Sequence, residues 1–345
     1  MFVHPRKRRE KKESRMDGTT AGPFLKFGNC DPVTGLWSGS VLYLTKAEGG
    51  QEAGPRPKMT LLDEDGPEEK KRQLNDPLLL DTILGWSFWR FDFELKLNEG
   101  QRAVQYVVVA GETTSSATFW LQAKGQPFHW GYTSCNGISG SIAEDHYSRK
   151  DPTYLWRDML QVHGAFPLHA LVGGGDQVYS DPVWKVDVFE TWGSLPRAED
   201  KINAEWTDKH EAAANEFYLK NYLESYTMEN VCTAYASIPS VMIWDDHDIW
   251  DGYGSYDAPL QTCAFFQGLF KVAKKFYLLF QQQATEEFAR KSGEYIEEAE
   301  GFHSVKFMGP QVALLCIDMR MKRSKARILP EVRACAFVDL MFKFL

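Results

Sequence analysis

The chain has 345 residues, 43% of them hydrophobic and 14% aromatic, which is enough apolar material for one large domain or two. Its formal net charge of -8 at pH 7 argues against nucleic acid as the principal partner, because binding to a phosphate backbone needs a broad basic surface. We recognise neither a secretory signal peptide nor an apolar run of the ~18 residues that cross a bilayer. The six cysteines are scattered, which fits a reducing compartment, and we expect a cytoplasmic protein.

A basic segment opens the chain. The run RKRREKKESR, from Arg6 to Arg15, contains no apolar residue, which predicts a disordered tail over residues 1–19. Such a run can act as a nuclear signal or contact anionic lipid, so the nucleus and a membrane surface remain alternative locations. An unstructured leader is the simpler interpretation, because short basic runs are common and unspecific.

The segment 20–123 predicts β structure. Apolar and charged residues alternate from Phe91 to Leu97, and a second strand, RAVQYVVVA, follows a turn that contains Gly100. This pattern is typical of a hairpin in a sheet with one exposed face. Polar loops rich in Gly and Pro separate the earlier strands. We therefore predict a β-sandwich-like N-terminal domain over residues 20–123, with a boundary near 124–126.

From residue 127 onward, strands alternate with helices, which is typical of an α/β domain. PFHWGYTS, PLHALVGG and IPSVMIW are predicted strands, and amphipathic stretches over 208–236 and 260–282 are predicted helices that cover a sheet. Two further strands, in GFHSVKFMG and QVALLCIDMR, form a hairpin-like pair. The fold class is therefore α/β (α+β), and the second domain extends over residues 127–345.

The first three strands of this domain end in groups that bind metals. SCNG (134–137) follows the first strand, GDQVYSD (175–181) the second and DDHDIWDG (245–252) the third. In an open α/β sheet, ligands bind outside the carboxyl ends of the strands, so we expect the three segments to converge. The third segment crowds four aspartates together, and their mutual repulsion calls for a neutralising cation.

The residue types indicate the kind of cation. Aspartates offer hard oxygen ligands, Cys135 a thiolate and Tyr179 a phenolate, and the last two favour iron over magnesium. The glycines before Asp176 allow a sharp turn that leaves space for a ligand, so this carboxylate can bridge two ions. His247 lies among the aspartates, and a protonated imidazole there suits a general acid. Each residue taken singly also fits a structural role, in a helix cap or in the core.

Together the motifs SCNG, GGGDQVYSD and WDDHDIWDG resemble those of the PhoD-like alkaline phosphatases, in particular their fungal-type members, within the calcineurin-like metallophosphatase superfamily. The resemblance extends over residues 20–323. It implies a metallophosphatase-type βαβ sheet with covering helices and a site that holds iron and calcium. The implied reaction is metal-dependent hydrolysis of a phosphoester, with a phosphorylated small molecule or a phosphodiester as substrate.

The resemblance also implies roles for individual residues. His247 matches the catalytic histidine, and Asp246 matches the ligand of the second metal. Asp176 matches the bridging aspartate, and Cys135 and Tyr179 match the ligands on the iron side. The residues expected to surround these ligands are Asp245, Asp181 and Asn136.

One departure from the family pattern concerns the C-terminal part. The resemblance implies further histidines in a GDxH-like segment and beyond, whereas the last histidine here is His303. We therefore expect a catalytic domain that is truncated, with its C-terminal part missing. Two hypotheses remain open: a metal-dependent phosphatase, and a non-catalytic truncated remnant that acts as a partner-binding protein.

Overall fold

The computed structural model describes residues 18–49, 51–66, 70–74, 76–139, 141–143, 145–296, 300–309 and 312–329. The basic run from Arg6 to Arg15 lies outside the described residues, as does the segment after residue 329. Strands and helices together form an α/β fold in the described part of the chain, which confirms the predicted fold class.

The strands of the described residues form three sheets. They are β1 (Thr20–Cys30), β2 (Leu36–Lys46), β3 (Lys58–Leu62), β4 (Lys71–Gln73), β5 (Leu78–Ile83), β6 (Trp86–Lys96), β7 (Arg102–Ala110), β8 (Thr113–Leu121), β9 (Trp130–Thr133), β10 (Ala170–Gly173), β11 (Ser240–Met242), β12 (Ser304–Phe307) and β13 (Ala313–Cys316). The largest sheet has the order β5-β6-β2-β1-β11-β10-β9, and a second has the order β4-β3-β7-β8. β12 pairs with β13 in antiparallel register, which confirms the predicted strand pair.

Most helices follow β9 in the chain. They are α1 (Tyr147–Lys150), α2 (Tyr154–Ala165), α3 (Asp187–Gly193), α4 (Ala198–Ile202), α5 (Asp208–Thr227), α6 (Glu229–Ser237), α7 (Ala258–Gln261), α8 (Ala264–Tyr277) and α9 (Glu286–Lys291). The stretch predicted over 208–236 is two helices that meet at Met228, whose backbone is not helical, with φ -54° and ψ 138°. The stretch predicted over 260–282 begins with α7, continues as α8 and ends in a π-helical turn, Leu278–Gln282.

Two β layers face each other in the N-terminal part. Phe27 and Phe93 of the seven-stranded sheet are buried in one core with Tyr106 and Phe119 of the four-stranded sheet. The ring of Trp37 stacks on Phe119 at 5.4 Å between centroids, so aromatic contacts join the layers. The alternation seen from Phe91 to Leu97 places one side of β6 in this core, as expected for a β-sandwich-like arrangement.

The hairpin predicted from the same alternation is wrong. β6 pairs with β2 and β5, whereas β7 pairs with β3 and β8. Residues 97–101 therefore carry the chain from one sheet to the other. A period of two reports which side of a strand is buried, but it does not report the partner strand, so a crossover and a hairpin have the same pattern.

The seven-stranded sheet extends across the predicted boundary at 124–126. β1 pairs in antiparallel register with β2 and in parallel register with β11, where Lys26 lies opposite Ser240. The division into a domain over 20–123 and a domain over 127–345 stays a prediction. The sheet itself contains strands from both segments.

Helices cover the other face of the large sheet. Phe24 of β1 contacts Tyr226 of α5 at 5.2 Å between ring centroids, and Phe88 of β6 contacts Phe280 at 5.3 Å. These contacts belong to a second, larger core, which confirms that the two long helical stretches cover the sheet. Among the described residues, no helix combines the length and the apolar character needed to cross a membrane.

Candidate metal centre

The site lies at the carboxyl ends of β9, β10 and β11. These strands are parallel and adjacent, so their following loops meet at one edge of the sheet. The amide of Cys135 donates to the carbonyl of Gly175 at 3.0 Å, and the amide of Asn136 donates to the carbonyl of Asp176 at 2.9 Å. The structure thus brings the three predicted segments together.

The backbone of these loops is held in unfavourable conformations. Cys135 has φ 57° and Asp176 has φ 56°, both in the left-handed region that non-glycine residues seldom adopt. Such conformations cost on the order of 1–3 kcal/mol each and persist where the surrounding structure fixes them. Both are residues that the sequence assigned to a metal, so the strain coincides with the candidate site.

The three glycines before Asp176 serve close packing. A Cβ atom at Gly173 would lie 2.1 Å from the Met242 sulfur, and one at Gly174 would lie 2.0 Å from the Tyr132 hydroxyl. At Gly175, which has φ 115°, a Cβ atom would lie 2.5 Å from the Cβ of Asp245. The glycines therefore allow β9 and the loop after β11 to approach this corner closely, and the space expected beside the Asp176 carboxylate stays a prediction.

Carboxylates cluster beside this corner. Asp176, Asp245 and Asp246 each place one carboxylate oxygen within 4.8 Å of the others, and Asp246, His247 and Asp251 form an overlapping group. Burial raises the pKa of Asp176, the hydrogen bond from Cys135 lowers it in part, and the charge of Asp245 raises it further. Crowded oxygen donors of this kind fit a divalent or trivalent cation.

Two softer donors flank Asp176. The thiol of Cys135 donates to Asp176 Oδ2 at 3.3 Å. The Ser134 hydroxyl lowers the pKa of this thiol, but burial and Asp176 raise it more, so the net shift is upward. Burial and the charge of Asp176 also raise the pKa of Tyr179. Both groups therefore stay protonated in the absence of a bound cation, because binding to a metal requires their deprotonation.

His247 is fixed on three sides. Its Nδ1 lies 2.7 Å from Asp181 Oδ2, its backbone amide donates to Asp176 Oδ1 at 3.2 Å, and its ring stacks on Tyr179 at 4.4 Å between centroids. Burial lowers its pKa, but the hydrogen bond and charge of Asp181 raise it more, so the net shift is upward. The imidazole is thus oriented by Asp181 and favours its protonated form.

Asp248 has a different environment from the other aspartates of the motif. Its side chain is fully buried and accepts from the backbone amides of Asp176 at 2.7 Å, Asp245 at 2.9 Å and Val178 at 3.1 Å. Gln281 Nε2 donates to it at 2.8 Å. Burial raises its pKa to about 7, although these hydrogen bonds lower it in part. Asp248 therefore joins two of the loops and does not face a ligand.

Asn136 lies beside the metal candidates, where the sequence placed it. Its Oδ1 accepts from Trp156 Nε1 of α2 at 2.7 Å, and its Nδ2 donates to the carbonyl of Gln177 at 3.4 Å. Asp181, after β10, joins the loop after β11 at two points, because it contacts His247 Nδ1 and accepts from the amide of Asp251 at 2.7 Å. The roles assigned to these residues from the sequence stay predictions.

Sequence reasoning missed Arg320. Its Nη2 donates to Asp246 Oδ1 at 3.1 Å, its Nε donates to Asp245 Oδ1, and its Nη1 donates to the carbonyl of Tyr253 at 3.0 Å. The side chain is only 10% exposed. The sequence did carry a signal for Arg320. Asp318 and Arg320 follow the apolar run of β13, as charged groups follow the other strands.

Fold and site together define a class: an α/β protein that gathers carboxylates, a thiol, a phenol and an imidazole at the carboxyl edge of a sheet. Residues 96–335, well over half of the chain, match the family described as PhoD related phosphatase. The chain belongs to this family. The family recognised from the three motifs is thereby confirmed.

The proteins similar to the chain include a yeast protein and a solved structure. Uncharacterized protein YGR266W of Saccharomyces cerevisiae is 28% identical over 358 residues, which cover 91% of this chain and 49% of the yeast protein. The chain therefore spans about half the length of this relative. A solved structure of PhoD has 14% sequence identity and a TM-score of 0.48, and the match covers 88% of this chain and 53% of that one.

Proposed function

We propose that the chain is the metal-binding part of a phosphoester hydrolase. The observation that carries the proposal is the approach of Asp176, Asp245 and Asp246 within 4.8 Å, next to Cys135 and His247. Family membership supports a phosphatase-type function in general. The specific activity, the metals and the roles of the residues are part of the proposal.

In this proposal Asp176, Asp246, Cys135 and Tyr179 hold the cations, and Asp176 contacts two of them. When bound, the cations supply positive charge that polarises a phosphoryl oxygen and lowers the pKa of a water molecule. A thiol and a phenol beside carboxylates favour iron at one position and calcium at the other. Asp245 and Asn136 keep the ligands in place through the loops they join.

His247 transfers the proton of the reaction. Its Nδ1 is engaged by Asp181, so the proton that reaches the substrate is the one on Nε2. The leaving alkoxide of a phosphoester needs a proton as the P–O bond breaks, and a histidine with a raised pKa can supply it. Stacking on Tyr179 fixes the plane of the ring, which keeps Nε2 in one direction.

The proposed substrates are a phosphorylated small molecule and a phosphodiester, and the proposed location is the cytoplasm. Among the described residues, every cysteine is free, which supports a reducing compartment. No observation favours a monoester over a diester, so the test uses both.

The test compares hydrolysis of p-nitrophenyl phosphate and bis(p-nitrophenyl) phosphate with added iron and calcium. We expect Asp176→Asn to reduce the rate about 100-fold, because it removes a charged ligand. The matched control is Asp257→Asn, an exposed aspartate paired with Lys325, which should leave the rate unchanged. Equal rates for wild type and Asp176→Asn would contradict the proposal.

A second candidate function is a non-catalytic protein that binds a partner. The contacts of Arg320 with Asp245 and Asp246 favour it, because the guanidinium neutralises two of the carboxylates that a metal would need. Elemental analysis of the purified chain separates the candidates. Stoichiometric iron supports the hydrolase, and metal-free protein with unchanged thermal stability after chelation supports the partner-binding protein.

A further inference from the structure

One cavity of the described residues lies away from the candidate metal centre. It measures about 610 Å³ and is lined by residues of β1, β2, β4, β6 and β12, by Leu74 and by the loop after α9. Lys26, Ser40 and Asp92 are cross-strand neighbours on its floor. None of its lining residues belongs to the carboxylate cluster at the ends of β9, β10 and β11.

Three cationic side chains meet in this cavity around one carboxylate. Lys26 is 3% exposed, Arg90 5% and Lys306 4%. Glu294 accepts from Lys26 Nζ at 2.6 Å, from Lys306 Nζ at 3.1 Å and from Arg90 Nη2 at 3.2 Å. Cations of this kind are almost never buried unless each has its own counter-charge.

The negative charges of the cluster do not balance the positive ones. Asp92 is the second carboxylate, and it accepts from Arg90 Nε at 2.8 Å with a side chain that is 53% exposed. Two carboxylates therefore contact the three buried cations. Arg72 and Glu94 also line the cavity, so four cations and three carboxylates leave an excess of one positive charge among its described lining residues. An excess charge held away from water is costly and favours an anion in the cavity.

The two ammonium groups also have donors to spare, whereas Arg90 Nη1 donates to the carbonyl of Gln283 at 2.8 Å. Each ammonium group has three N–H donors, and Glu294 accepts one from Lys26 and one from Lys306. Burial lowers the pKa of Lys26, Glu294 raises it in part, and Lys306 and Arg90 lower it again, to about 8. At neutral pH, Lys26 therefore still carries a proton that an anion would stabilise.

We propose that this cavity binds a phosphate group at the ammonium groups of Lys26 and Lys306 and the guanidinium of Arg90. A phosphate has several oxygens and a charge between -1 and -2 near pH 7, so it accepts from all three cations at once. A volume of about 610 Å³ falls in the range of small-molecule sites and exceeds what a bare phosphate fills. The phosphate is therefore inorganic phosphate or part of a phosphorylated small molecule.

The site is independent of the proposed hydrolase activity, and its test excludes the metal centre. Asp176→Asn protein in the presence of EDTA is titrated calorimetrically with inorganic phosphate and, separately, with glycerol 3-phosphate. Wild-type protein is titrated in the same way. We expect at least one of the two probes to bind, with the same Kd for wild type and for Asp176→Asn. Tighter binding of glycerol 3-phosphate identifies a phosphorylated small molecule as the ligand, and tighter binding of inorganic phosphate identifies the free ion.

Substitution of one cation then assigns the binding to this cavity. Lys306→Met leaves Glu294 paired with Lys26 and Arg90, and we expect it to weaken binding about tenfold or more, since a charged hydrogen bond is lost. The matched control is Lys124→Met, at an exposed lysine paired with Glu99, which should leave the Kd unchanged. Absence of binding to Asp176→Asn protein, or an unchanged Kd for Lys306→Met, overturns the proposal.

A labelling experiment on wild-type protein guards against a variant that does not fold. Lysine acetylation is followed by mass spectrometry with and without the tighter probe, in EDTA. We expect the probe to slow modification of Lys26 and Lys306 and to leave that of Lys124 unchanged. Acetylation rates at Lys26 and Lys306 that are the same with and without the probe would overturn the proposal without any substitution.

Discussion

Arg320 and Asp246 form an ion pair inside the candidate metal centre, with 3.1 Å between Nη2 and Oδ1. The same guanidinium contacts Asp245, so one arginine neutralises two adjacent carboxylates of the cluster. A cation bound at Asp246 would compete with Arg320 for these oxygens. The two residues therefore link the stability of the metal-free chain to its affinity for metal.

Replacement of Arg320 by Met should increase metal affinity and lower stability without metal. Loss of the guanidinium frees two carboxylates for a cation, and we expect Mn²⁺ to bind about tenfold tighter, which corresponds to about 1.4 kcal/mol. Without metal, the carboxylates repel each other and unfolding should become easier by about 1–3 kcal/mol. Calorimetric titration and urea denaturation measure the two effects.

The control for this variant is Lys322→Met, at a neighbouring, half-exposed residue paired with Glu300. An exposed pair contributes little, so both quantities should stay within about 0.5 kcal/mol of wild type. Weaker metal binding in Arg320→Met than in wild type would show that the arginine supports the site and does not compete for it.

The sequence predicted the site better than it predicted the β layers. Cys135, Asp176 and Asp245 come together because parallel neighbouring strands end at one edge, a rule that needs only strand order. The hairpin between β6 and β7 failed, since alternation in Phe91 and Phe93 says nothing about which strand lies alongside. Pairing depends on contacts between segments far apart in the chain, and these follow from packing of the whole core.

Two features of the site were beyond sequence reasoning for different reasons. Asp248 looked like its neighbours, yet it is fully buried and bonded to the loop amides. Only the path of the backbone decides which aspartate of a crowded motif points inward. Arg320 lies 74 residues from Asp246, so their contact depends on how β13 docks against the domain.

Substitution of Gly175 by Ala should lower the free energy of unfolding more than the same substitution at a glycine without close neighbours. The backbone at Gly175 has φ 115°, and an added Cβ would lie 2.5 Å from the Cβ of Asp245. We expect a loss of about 2 kcal/mol or more in the free energy of unfolding, together with weaker metal binding, because Asp245 must move. Urea denaturation and metal titration report the two losses.

Gly111→Ala provides the matched control for Gly175. Gly111 also has a positive φ, 58°, but an added Cβ there would meet no atom within 4 Å. It should cost about 1 kcal/mol from the backbone alone and leave metal affinity unchanged. If Gly175→Ala lowers stability no more than Gly111→Ala does, the close approach of Asp245 does not contribute to the conformation of the loop.

Glu294 should give the fold a pH-dependent stability. Burial raises its pKa, but Lys26, Lys306 and Arg90 together lower it well below the usual value. A carboxyl whose folded pKa is lowered contributes stability above its unfolded pKa of about 4.3 and loses it as the pH falls toward the folded pKa. Glu294→Gln should therefore lower the free energy of unfolding by about 3 kcal/mol at pH 7, because three buried cations lose their common partner.

The difference between wild type and Glu294→Gln should shrink as the pH falls below about 4, since Glu294 of the unfolded chain then takes up a proton while the folded chain holds the carboxyl ionised down to its lower pKa. Urea denaturation at a series of pH values measures it. Lys26, Arg90, Lys306 and Tyr295 interact with Glu294, and two further titratable groups, Asp92 and Cys316, interact with these cations. Glu287→Gln, at an exposed residue paired with Lys291, should match wild type throughout, because an exposed pair contributes little. A difference that stays constant from pH 7 to pH 3 would mean that Glu294 acts by packing and not by its charge.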